Sequence, residues 1–163
     1  MPDLINNTII QILLERIIKM IENDTIRLLR ECDAGVKMGI SSLDESMKYV
    51  SDSKLKTTLE KSMKENEKIK YDLQELLHDY HDNGKEPALM AKSMTWLKTN
   101  VKLAVNESDS TVADLITDGC NMGVKSLSRY MNKYRAADEK SKNIAKNLIS
   151  VEEKLAYDIR GYL

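Results

Sequence analysis

Apolar residues recur along this chain at alternating spacings of three and four, the period of helices packed on one face. From Thr25 to Val50 one stripe carries Leu29, Cys32, Val36, Gly39 or Ile40, Leu43, Met47 and Val50. Ser51-Asp52-Ser53 supplies a turn and a cap. A second helix is predicted from Lys54 to about Tyr80, with Leu55, Leu59, Met63, Asn66, Ile69, Leu73 and Leu76 or Leu77 inward, and Asn83-Gly84 followed by Pro87 stops it. A third, from about Thr111 to Tyr134, faces inward with Leu115, Gly119, Met122 or Gly123, Leu127, Tyr130 and Tyr134. The fourth, from about Asp138 to Leu163, does so with Ala145, Leu148, Glu152, Leu155, Ile159 and Tyr162.

Two stretches depart from this pattern. Residues 3 to 22 are apolar on far more than one face, with Leu4, Ile5, Ile9, Ile10, Ile12, Leu13, Leu14, Ile17, Ile18, Met20 and Ile21, so the helix predicted there has to touch something on two sides. Glu15, Arg16 and Lys19 interrupt it, and Asn23-Asp24-Thr25 reads as a cap-like break after it. The division expected is an N-terminal apolar helix over 1-24 and a bundle over 25-163. The connection between the second and third bundle helices is too long to be structureless, and a crossover helix is predicted from Ala88 to Val105, carrying the only tryptophan, Trp96.

The second half repeats the first. Met38-Gly39-Ile40-Ser41-Ser42-Leu43 returns 84 residues later as Met122-Gly123-Val124-Lys125-Ser126-Leu127, and Glu67 to Leu73 returns 86 residues later as Glu153 to Ile159. A helical hairpin used twice and joined by a long crossover predicts an all-α four-helix bundle whose first and third helices are antiparallel. Cys32 and Cys120 then lie near opposite ends, and a disulfide between them would contradict the topology.

Leu28-Leu29-Arg30-Glu31-Cys32-Asp33-Ala34-Gly35, Trp96-Leu97-Lys98, Asp118-Gly119 and the tyrosine-aspartate helix ends resemble the ferritin-like bacterial domains of unknown function, over about residues 25 to 163. The resemblance implies a ferritin-like four-helix bundle, with the N-terminal apolar helix outside it.

Composition narrows function mainly by exclusion. With 25 basic and 26 acidic side chains and no block of either sign, nothing marks a nucleic-acid partner. Two cysteines without CxxC spacing fit a reducing compartment, no secretory leader opens the chain, and no apolar run is long enough to span a bilayer, so a cytoplasmic protein is expected.

Ferritin-like enzymes hold two metal ions with a Glu from each of two helices and a Glu-x-x-His from each of the other two. Here the inward middle positions are Gly39 and Ile40, Asn66, Met122 and Gly123, and Glu152, which keeps one ligand of six. Glu67 and Glu153 match across the repeat but fall off the apolar stripes. Asn66 and Glu152 read as a polar pair fixing helix register, a neutral Glu152 bonding to Asn66. The weak metal candidates are Glu152 with nearby carboxylates, and His78, His81 and Asp82, whose spacing puts them on one face. Histidines in a last helical turn also serve the helix dipole without any metal.

No nucleophile elbow or phosphate loop occurs, which points away from an enzyme. Gly35, Gly39, Gly119 and Gly123, spaced by four, point to close helix packing or to a shallow pocket for a small apolar ligand. The methionines read as core filling, and Tyr130, Tyr134 and Tyr162 as filling one bundle end. The expectation is a non-catalytic bundle with no cofactor, working by protein association as a homo-oligomer, most simply a dimer, through the N-terminal helix. The competing expectation is a metal-binding or redox protein with a reduced site.

Overall fold

A computed structural model describes residues 2–87, Asn100 and 108–163, with side chains from residue 6 onward. Every element among them is helical: α1 (Pro2–Ser46), α2 (Ser53–Asp79), α3 (Asp109–Lys133) and α4 (Glu139–Ile159), with single 3-10 turns at Met47–Tyr49 and Arg160–Tyr162. The expected crossover helix and Trp96 lie outside the described residues, Asn100 excepted.

Hydrogen bonds at the two ends fix the helix directions. At one end Ser51 N and Asp52 N donate to the Asp109 carboxylate at 2.7 and 3.0 Å, and the Tyr162 hydroxyl donates to Asp52 at 2.8 Å. This gathers the end of α1, the starts of α2 and α3 and the end of α4. At the other end Ala136 N donates to Asp24 at 3.1 Å, Asp138 N to Thr25 Oγ1 at 2.9 Å and the Tyr80 hydroxyl to Asp138 at 3.1 Å. Thus α1 is antiparallel to α3 and α2 to α4, as the repeat predicts. Cys32 and Cys120 are free and lie in separate core clusters.

The two sets of end contacts mirror one another across the repeat. Asp52 caps α2 by accepting from Lys54 N and Leu55 N, and Asp138, 86 residues on, caps α4 by accepting from Ser141 N. Each cap also takes a hydroxyl from a tyrosine at the end of the other hairpin. The turn within each hairpin is in turn held from outside, that between α3 and α4 by Asp24 and Thr25 of α1 and that between α1 and α2 by Asp109 of α3.

That symmetry explains why no helix ends at Asn23-Asp24-Thr25. The Asp24 and Thr25 side chains cap the turn between α3 and α4 rather than their own backbone, so nothing competes with the α1 hydrogen bonds and the helix continues unbroken for 45 residues, about 67 Å at 1.5 Å per residue. The expected separate N-terminal helix is therefore the first half of α1. It projects beyond the bundle, because Asp24 and Thr25 already touch the bundle's end. Ile9, Ile10, Ile12, Leu13, Leu14, Ile17, Ile18, Met20 and Ile21 are 38 to 62 % exposed.

The core has two clusters. One contains Leu28, Leu29, Cys32, Val36, Leu73, Leu77, Leu127 and Leu148; the other contains Leu43, Leu55, Leu59, Val112, Ile116, Cys120, Leu155 and Ile159. On α3 the buried stripe runs through Val112, Ala113, Ile116, Cys120 and Leu127, one position round from the expected one, and Met122 and Gly119 face solvent. Tyr130 and Tyr134 stack at one end with centroids 6.4 Å apart, whereas Tyr162 sits at the opposite end beside Asp52.

Candidate functional site

The gap between the two core clusters falls at the same level on all four helices: between Val36 and Leu43, Leu59 and Ile69, Cys120 and Leu127, and Leu148 and Leu155. Gly39, Ser62, Asn66, Gly123 and Glu152 occupy it. A Cβ at Gly39 would meet Asn66 Oδ1 and Glu152 Oε1, each at 3.7 Å, and one at Gly123 would meet Glu152 Cδ at 3.4 Å. The two glycines, matched across the repeat, therefore leave the room that the Glu152 carboxyl takes between α1 and α3.

Gly35 and Gly119 serve no such purpose. Both are exposed, with nothing within 4 Å of an added Cβ. The close helix packing expected of all four glycines holds only for the inner pair, and what packs there is a side chain rather than a helix backbone.

The expected hydrogen bond from a neutral Glu152 to Asn66 is not made: Asn66 is 2 % exposed and its Nδ2 donates to Ser62 O at 3.0 Å, while its Oδ1 and the Ser62 Oγ have no partner. Burial pushes the Glu152 carboxyl above its usual range, with a hydrogen bond to the Cys120 thiol working the other way. Burial and the Glu152 carboxylate both push the Cys120 thiol up, and burial with Glu31 and Asp33 raises Cys32 to about 12. Thiols held protonated in this way are poor nucleophiles and poor metal ligands.

The layer is thus a buried polar seam with one acid, one amide and one hydroxyl. A dinuclear metal pair does not fit it, because Gly39, Asn66 and Gly123 stand where carboxylates would be needed. No group of three or more His, Cys, Asp or Glu among the described residues could hold a metal ion. Glu67 and Glu153 are exposed, as their positions off the stripes predict.

The remaining metal candidates lie at the end of α2, and of them Asp82 has its carboxylate already engaged. His78 and His81 are exposed at the end of α2. The helix closes there with Asp82 N on Leu77 O and His81 N on His78 O, both at 2.9 Å, and His81 takes the left-handed conformation at φ 53°. His81, not Asn83-Gly84, is the stop. Asp82 is gripped by Arg30, whose Nε lies 3.0 Å from both carboxylate oxygens, and it accepts from Gly84 N at 2.9 Å.

Sequence patterning missed Asp33 and Glu45, each 1 % exposed. Asp33 pairs with Lys37 at 2.8 Å and accepts from Lys85 N at 3.0 Å, so it holds the 82–86 loop on α1; Lys85 to Glu31 and Lys37 to Glu86 complete the attachment. Glu45 pairs with Lys48 at 2.6 Å. The only sequence signal for Asp33 is its place beside Cys32 on the inward stripe.

Among the described residues no helix is long and apolar enough to cross a membrane. No family model matches the chain, and neither a curated protein nor a solved structure matches it.

Proposed function

We propose that this chain is a non-catalytic, ferritin-like helical bundle that works by protein association, with the first half of α1 as the contact element and further copies of the chain as its partners. One observation carries the proposal: nine large apolar side chains, from Ile9 to Ile21, stand about half exposed on a helix beyond the bundle. Together they offer on the order of the ~800 Å² that each partner contributes to a standard interface. Left in water, a patch of that size is an aggregation liability.

The ferritin-like reading is supported by the antiparallel pairing of α1 with α3 and of α2 with α4, which puts the end of α2 and the start of α3 at opposite ends of the bundle. The mid-bundle layer supports a scaffold role rather than chemistry, since its polar side chains are one carboxyl, one amide and one hydroxyl, and the Cys120 thiol bordering it is held protonated. A cytoplasmic setting accords with both cysteines being free.

The test is the solution mass by light scattering, for the full chain and for a chain lacking residues 2–22. The full chain is expected to be a multiple of 18.6 kDa and the shortened one a folded monomer. A monomeric full chain whose stability the deletion leaves unchanged would remove the association role.

A further inference from the structure

The projecting helix has more apolar surface than one partner can cover. At about 100° per residue, Thr8, Gln11, Glu15, Lys19 and Glu22 fall within an arc of roughly 80°, while the apolar positions run from Ile12 round to Ile18 over roughly 240°. Between residues 6 and 22 only Arg16 and two asparagines, Asn6 and Asn7, interrupt that arc, and an arginine stem lies readily along apolar surface with its charge in water.

A helix packed on a single neighbour buries a stripe about 100° wide. The best such stripe is Ile10, Leu14, Ile17 and Ile21, spaced four, three and four. One partner docked on it leaves Ile18 on one flank and Ile9, Ile12 and Met20 on the other in water, residues that are 46 to 62 % exposed.

The composition of the stripe adds a second line. Written as heptads, Ile10 and Ile17 occupy one core position, and Leu14 and Ile21 the other. In parallel coiled coils isoleucine at that first position, with leucine or isoleucine at the second, shifts the preference from two strands to three or four.

We infer that the first half of α1 assembles with the same segment of at least two other copies, so that the protein is a trimer or tetramer joined through these helices rather than a dimer. This rests on the association role proposed above and sets its order. Each helix then touches two neighbours, one on either side of the wide apolar arc, and turns the strip from Thr8 to Glu22 to solvent.

Sedimentation equilibrium of the full chain tests this, with Ile9→Lys/Ile12→Lys as a companion variant whose changes lie outside the bundle. The expected mass is three or four times 18.6 kDa, dropping to a dimer or monomer in the variant while the bundle's melting temperature stays within a few degrees. A stable dimer, or a variant that keeps the full mass, overturns the inferred order and leaves the association role standing. A monomer overturns both, and a monomer that floats with anionic phospholipid vesicles assigns the apolar arc to a lipid surface instead.

Discussion

The backbone amide of Asp138 donates to Thr25 Oγ1 at 2.9 Å, joining residues 113 apart, and this bond marks the level at which α1 enters the bundle. Thr25 is fully buried there. Replacing it with valine keeps the shape and strands a buried N–H, so Thr25→Val is expected to cost about 1–3 kcal/mol in urea unfolding. An unchanged midpoint would mean that the turn between α3 and α4 does not depend on α1.

Gly35, Gly119 and Gly84 separate into two kinds by what surrounds them. Gly35→Ala and Gly119→Ala add a methyl group to exposed helix surface and should each stabilise by about 1 kcal/mol. Gly84→Ala should destabilise, because Gly84 has φ 77° and its Cβ would sit on the Asp33 carboxylate. Thermal melts of the three variants check the order, and a loss of stability at Gly35 or Gly119 would reinstate close packing at those positions.

His81 adopts a backbone conformation that suits glycine better. His81→Gly should raise stability by about 1 kcal/mol, since the left-handed region costs a side-chain-bearing residue roughly that much. If the variant were destabilised in chemical unfolding, the His81 side chain would have to make a contact that matters.

Two pH windows should separate. The guanidinium of Arg30 holds the Asp82 carboxyl below its ordinary value of 3.8, with burial opposing it, so this pair stabilises above that pH and its contribution fades as the pH falls lower. Glu152 works in the opposite sense. Its folded-state value lies above the ordinary 4.5, so the unfolded chain ionises first and stability declines as the pH rises from about 4.5 to the folded value. Glu152→Gln removes that decline. The variant's stability relative to the natural chain should therefore grow over this range and then level off, as followed by urea midpoints, whereas a constant difference would mean that Glu152 is not titrating from a buried site.

How much of this was legible in the sequence depended on which backbone a side chain serves. The stripes of α1, α2 and α4 and the Asn66 and Glu152 positions follow from spacing, and the antiparallel arrangement that keeps Cys32 from Cys120 follows from the repeat, whereas the α3 stripe lies one position round from the one its spacing suggests. Asp24 and Thr25 have the chemistry of cap residues but serve another backbone, and a local pattern cannot reveal that the amides they bind lie at Ala136 and Asp138. Gly39 and Gly123 differ from Gly35 and Gly119 by one helical turn, and only the position of the Glu152 side chain tells the pairs apart. Asp33 and Glu45 are charged residues on helices, which pattern assigns to solvent; their burial depends on Lys37, Lys48 and the 82–86 loop.

Hydrogen exchange over residues 9 to 21 tests the central claim most directly, because an isolated helix of this length is marginal in water and its amides exchange quickly unless something packs against it. The account predicts that these amides are protected to nearly the same degree as those of α2 at concentrations where the chain is assembled, and lose protection on dilution. Fast exchange at every concentration, with α2 still protected, would contradict it.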